Sequence, residues 1–81
     1  MDALNKEQLK AMADLTSAIE KVDITIQQDN INEQLIFNSS IGLCCTMNCR
    51  MNSVGATIRQ WAYHLYKGDL LSYDSERIIG I

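Results

Sequence analysis

The sequence predicts an all-α protein: an antiparallel hairpin of two long helices with a short C-terminal tail, assembled as an oligomeric bundle. Apolar residues recur at spacings of three and four along two long stretches, which is the period of an amphipathic helix. The second stretch carries very little charge. In a chain of 81 residues, which buries only a modest core alone, this indicates that a second subunit covers it.

The first helix is predicted over residues 6–28. Asn5 can cap its start, and Gln8 stands where its side chain can bond back to complete a capping box. The β-branched residues within 23–26 weaken the prediction towards the end of the helix. The apolar stripe comprises Leu9, Met12, Leu15, Ile19, Val22 and Ile26.

A turn is expected at residues 29–32, followed by a second helix over residues 39–67, with a start near residue 31 as the alternative. Gly68 is a natural left-handed stop. In the tail of residues 69–81, Leu70, Leu71 and Tyr73 could fold back on the core, whereas the three terminal isoleucines are expected to dock on a neighbour. The helix shows a heptad repeat, and we expect its oligomer interface to comprise Met47, Met51, Val54, Ile58, Trp61 and Leu65, with Cys44 at the start of the repeat. The whole chain, residues 1–81, is read as one helical domain.

Charge and composition limit the classes of function. The net charge is −3 and no run of basic residues occurs, so a nucleic-acid partner is not expected. No apolar run is long enough for a membrane span, and the charged N-terminus does not resemble a secretory signal. We therefore expect a cytoplasmic protein, in the host cytoplasm if a phage encodes it.

The cysteines predict neither a metal site nor a disulfide framework. Cys44, Cys45 and Cys49 are odd in number and clustered, and the only histidine, His64, lies far along the chain. The favoured interpretation is that these thiols pack as small apolar groups. We expect no cofactor.

Groups for catalysis are few, so an enzyme is not expected. His64 is the only histidine, and the carboxylates alternate with lysines as they do on a solvated helix face. No glycine-rich loop or nucleophile motif occurs.

A polar line runs parallel to the heptad stripe. Its favoured interpretation is the border of a coiled-coil interface. The alternative is a ligand-facing strip, because a guanidinium beside hydroxyl groups suits a phosphate. The line comprises Thr46, Arg50, Ser53, Thr57, Gln60 and His64.

The segment of residues 50–63 resembles the second helix of the phage anti-CBASS cyclic-nucleotide sponges. The positions that carry the resemblance are Arg50, Ser53, Val54, Gly55, Thr57, Gln60, Ala62 and Tyr63. The resemblance implies a helical hairpin that forms a symmetric oligomer and sequesters cyclic di- or trinucleotides at subunit interfaces. Arg50, Ser53, Thr57 and Gln60 would then contact the ligand. Arg59, Trp61 and the length of the connection depart from that pattern.

The favoured function is a small non-enzymatic binding protein of the phage or plasmid accessory type, which inhibits or modulates a host protein by direct binding. This attribution follows from size, charge and the thin inventory of catalytic groups. The alternative is an oligomeric sponge for cyclic oligonucleotide immune signals. The expected partners are a second copy of the chain and a host protein, with a cyclic nucleotide in the alternative.

Overall fold

The computed structural model describes residues 3–42, 44–48, 53–66 and 78, and over these residues the chain has an α+β fold. A helix comes first, three strands follow and a second helix comes after them. The elements are α1 (Lys6–Glu20), β1 (Ile24–Asp29), β2 (Gln34–Ser39), β3 (Cys44–Asn48) and α2 (Val54–Tyr66).

The all-α prediction and the helical hairpin are therefore wrong. The helix predicted over residues 6–28 ends at Glu20, and the helix predicted over residues 39–67 begins only at Val54. The physical reason is that a spacing of four residues fits both periods, since it equals two repeats of a strand. Val22 and Ile26 continued the helical stripe, but with Ile24 between them they also alternate as a strand does.

The start of α1 is the one the sequence predicts. The Asn5 side chain accepts from the Gln8 amide at 2.8 Å, and the Gln8 side chain accepts from the Asn5 amide at 2.9 Å, so the capping box is present. At the other end Lys21 adopts a left-handed conformation with φ 62° and donates to the Ser17 carbonyl. The chain then turns back along α1 as β1.

The three strands form an antiparallel sheet in the order β1-β2-β3. Ile26 pairs with Phe37, and Leu35 pairs with Met47, so these side chains lie on one face. Ile26, Leu35 and Phe37 are buried there. We call this the inner face.

Both helices contribute to the core on this inner face. Met12 and Ala13 come from α1, and Ile58, Trp61 and Ala62 from α2. Ile78 and Leu4 belong to the same cluster, so the expectation that the terminal isoleucines dock on a neighbour is wrong for Ile78. The apolar side of α2 is thus covered by the chain itself, so the argument that a charge-poor second helix requires another subunit does not hold for α2. The oligomer itself stays a prediction.

Neither α1 nor α2 has the length and apolar character needed to cross a bilayer, and within the described ranges no other helix qualifies.

Candidate interaction surface

The opposite face of the sheet is not covered by either helix. The strand register places alternate residues there, since Gln27 pairs with Ile36 and Ile36 pairs with Thr46. Thr25, Gln27, Thr46 and Asn48 are exposed, whereas the side chains of the central strand are half-buried by their neighbours. We call this surface the outer face, and it comprises Thr25, Gln27, Asp29, Gln34, Ile36, Asn38, Thr46 and Asn48.

The outer face is almost without charge. Charged residues make up 21% of the chain, yet Asp29 alone carries a formal charge among the outer-face residues. Its carboxylate is engaged by the adjoining loop. Hydrogen bonds from Asn32, Gln34 and Ile31 hold the pKa of Asp29 below its usual value, with the Asn32 side chain contributing most.

The loop between β1 and β2 is organised around that carboxylate. Asp29 Oδ1 accepts from the amides of Ile31 and Asn32, both at 3.1 Å. Asp29 Oδ2 accepts from Asn32 Nδ2 at 2.8 Å and from Gln34 Nε2 at 3.3 Å. Glu33 closes the loop in a left-handed conformation with φ 51°. At the tip Ile31 is 92% exposed.

An apolar cleft of about 360 Å³ lies on the inner side of the sheet, next to the end of α1. Thr16 and Glu20 of α1 and Ser39 of β2 supply its polar groups. The apolar part of its lining includes Val22, Ile24, Phe37 and Leu65. Cys45 also borders it.

Three of the four predicted ligand residues, Ser53, Thr57 and Gln60, lie in the described part of the chain. Thr57 is buried and its hydroxyl donates to the Ser53 carbonyl at 3.0 Å, while Ser53 Oγ accepts from the Ala56 amide at 3.2 Å. Gln60 Nε2 donates to the Asn48 carbonyl at 3.2 Å, which ties α2 to β3. Arg50 lies outside the described residues. Each described member of the set is thus engaged in local structure.

The other two members of the polar line are separated. Thr46 lies on the outer face of the sheet, and His64 is exposed on α2. The His64 ring meets the Tyr63 ring edge-on, with centroids 5.6 Å apart. The line therefore does not run along one helix.

The predicted interface residues also differ in their surroundings. Ile58 and Trp61 are completely buried within the chain, and Met47, Val54 and Leu65 are partly buried against the same core. Met51 lies outside the described residues. The heptad thus supplies the core of the single chain, and its part in an oligomer stays a prediction.

Cys45 lies in β3 with its thiol exposed, so the expectation that it packs in the core is wrong. The side chains of Cys44 and Cys49 fall outside the described part of the chain. Among the residues that the structure does describe, no three acidic, histidine or cysteine side chains converge as metal ligands would.

Two polar groups are buried on α2 without a hydrogen-bond partner in the described structure. They are the indole Nε1 of Trp61 and the hydroxyl of Tyr66. The two rings meet edge-on at 5.6 Å. Burial raises the pKa of the Tyr66 phenol above its usual value, the nearby Thr16 hydroxyl acts in the opposite direction, and the Glu20 carboxylate raises the pKa further. The Thr16 hydroxyl donates to the Met12 carbonyl at 2.7 Å and forms no hydrogen bond to the Tyr66 hydroxyl.

No protein-family model, curated protein or solved structure matches this chain. The resemblance of residues 50–63 to the anti-CBASS sponges therefore stays a prediction.

Sequence reasoning missed the outer face and the loop that presents Ile31. The signal was present in residues 24–28, where isoleucines alternate with threonine and glutamine, as they do in a strand with one buried face. Once β1 and β2 are paired, Ile31 falls at the hairpin tip.

Proposed function

We propose that this chain is a small non-enzymatic protein that modulates another protein by binding it through the outer face. The observation that carries the proposal is an open sheet surface with almost no charge on a chain that is charged elsewhere. Inhibition of a host protein, as accessory proteins of phages and plasmids perform it, is the proposed consequence of that binding.

The physical reason lies in desolvation. Removing water from a charged group on binding costs free energy unless a well-placed partner compensates for the lost water. The centres of protein interfaces are accordingly depleted of charged residues. The one carboxylate of the outer face already accepts hydrogen bonds from its own loop. A partner can therefore cover this surface while that carboxylate keeps its hydrogen bonds.

The centre of the outer face offers apolar area bordered by hydrogen-bonding groups. Ile36 is half-buried on the middle strand, between Gln27 on one side and Thr46 on the other. Amides and hydroxyls can both donate and accept, so they can adapt to the partner's polar groups. This combination suits a protein surface better than a phosphate, for which a cation would be needed.

The proposal is tested by replacing Gln27 or Thr46 with p-benzoylphenylalanine, a photoreactive amino acid, and irradiating cells of the natural source. The expected result is one and the same protein cross-linked from both positions. Ala18 is the matched control, because it is exposed on α1 and lies away from the sheet surface. Ile36→Glu should reduce both adducts about ten-fold or more, because it introduces a charge at the centre of the interface.

Three outcomes would contradict the proposal: no adduct from positions 27 and 46, equal adducts from position 18, or indifference to Ile36→Glu. The cyclic-nucleotide alternative predicts a separate result. A cyclic di- or trinucleotide would raise the melting temperature of the natural chain, and Arg50→Ala would abolish that shift.

A further inference from the structure

We infer that the β1–β2 loop is a preformed anchor, and that its Ile31 side chain enters an apolar pocket with a basic rim on the partner protein. The inference rests on the proposed function and specifies how the partner is recognised. By the anchor loop we mean residues 30–33.

Ile31 is 92% exposed and contributes nothing to the core, although hairpin tips are normally polar. Complete burial of an isoleucine side chain is worth roughly 10- to 150-fold in affinity. Such a side chain at the end of a projecting loop is placed to gain that affinity from a concave apolar site.

Four hydrogen bonds to the Asp29 carboxylate fix the loop before any partner arrives. A loop that is already ordered loses less conformational entropy on binding, so more of the contact free energy appears as affinity. Gln34 supplies one of those bonds from the start of β2, so the loop is also joined to the strand that follows it.

Asp29 and Gln34 form the last cross-strand pair of the outer face, and the anchor loop directly continues it. One partner can therefore cover the outer face and receive Ile31 at the same time.

Asp29 precedes the anchor loop and Glu33 ends it, and no lysine, arginine or histidine occurs between Val22 and Cys49. Lysine or arginine around the receiving pocket would complement this acidic stretch and favour association. The chain's own apolar cleft is the wrong receptor, because Glu20 lies on its lining and would meet the acidic loop of a second copy.

The test uses the chain with the photoreactive residue at position 46 and compares two isoleucine changes. Ile31→Ser should lower the yield of the partner adduct about ten-fold or more at limiting concentration. Ile41→Ser is the matched control, because Ile41 is 65% exposed in the loop between β2 and β3, at the opposite end of the sheet, and it should leave the yield unchanged. Both variants should melt like the natural chain, since both side chains are exposed.

A second variant examines the basic rim. Glu33→Asn removes the charge with a residue that tolerates the left-handed backbone at this position, so the loop keeps its shape. The adduct yield should fall several-fold at low salt and less at high salt. A yield that rises would overturn the basic rim.

The inference and the proposed function fail in different ways. Full adduct yield with Ile31→Ser, together with loss on Ile36→Glu, would overturn the anchor and leave the outer face in place. An adduct of twice the chain's mass as the sole product in these cells would identify a second copy as the occupant and overturn the inferred partner. Absence of any adduct from positions 27 and 46 would overturn both.

Discussion

Two tyrosines on α2 differ in the surroundings of their hydroxyl groups. Tyr63 is 66% exposed, whereas the Tyr66 hydroxyl is buried and has no hydrogen-bond partner among the described residues. A buried polar group without a partner loses its water and gains nothing in return. Tyr66→Phe should therefore leave the free energy of unfolding unchanged or raise it by about 1 kcal/mol. Denaturant unfolding measures the difference, and Tyr63→Phe, which changes an exposed hydroxyl, should have no effect.

The same residue predicts a dependence on alkaline pH. Because burial raises the pKa of Tyr66 in the folded state, folding favours the neutral phenol. This contribution is fully present below the ordinary tyrosine pKa of 10.0 and is lost as pH rises through the folded pKa. The natural chain should thus lose more stability above pH 10 than Tyr66→Phe does. Parallel unfolding curves of the two chains across that range would contradict the prediction.

At the scale of elements, substitutions at two neighbouring residues of β2 should differ in their cost to stability, because the two side chains lie on opposite faces of the sheet. Phe37 is buried on the inner face, and Ile36 lies next to it on the outer face. Phe37→Ala should cost about 3–5 kcal/mol, which is a large part of the stability of a domain of this size. Ile36→Ala should cost less than about 1 kcal/mol. Thermal or urea unfolding of the pair checks the assignment of the faces, and equal losses would contradict it.

How much the sequence predicts also differs from element to element. The start of α1 was predictable, because a capping box acts within four residues. The end of α1 was not, because Lys21 adopts a left-handed conformation without the glycine that usually marks such a stop. The strands were missed because a spacing of four suits helix and strand alike, and their pairing depends on contacts far apart in the chain.

The candidate site was even harder to predict from the sequence than the helices and strands. The polar line and the heptad were both read on one continuous helix, so Thr46 was placed beside residues that the fold assigns to another element. Trp61 and Ile58 were predicted to lie in an oligomer interface, whereas in the single chain its own sheet and helices bury them. The periodicity of the sequence can show which residues are buried. Which helix, strand or subunit covers them becomes clear only when the topology of the fold is known.

For the whole molecule, we predict that the chain self-associates through the outer face. An uncharged sheet surface that is meant for a partner can also meet a second copy when the partner is absent. We expect the purified chain to associate at micromolar concentration and Thr46→Glu to weaken that association by like-charge repulsion. Sedimentation velocity measures both. A natural chain that sediments as a folded 9.1 kDa monomer would contradict the prediction.

The double hydrogen bond at Ser17 has a consequence for the behaviour of the chain in concentrated solution. Ile24 is the first residue of the edge strand β1, and its amide donates to Ser17 Oγ at 2.8 Å, while its carbonyl lies 3.4 Å from the same oxygen. An unpaired strand edge is a template for indefinite stacking of chains, and here a helix side chain occupies the end of that template. Ser17→Ala should shorten the lag before amyloid-type dye fluorescence appears on gentle heating. The exposed change Thr25→Ser, on the same strand, should leave the lag as it is.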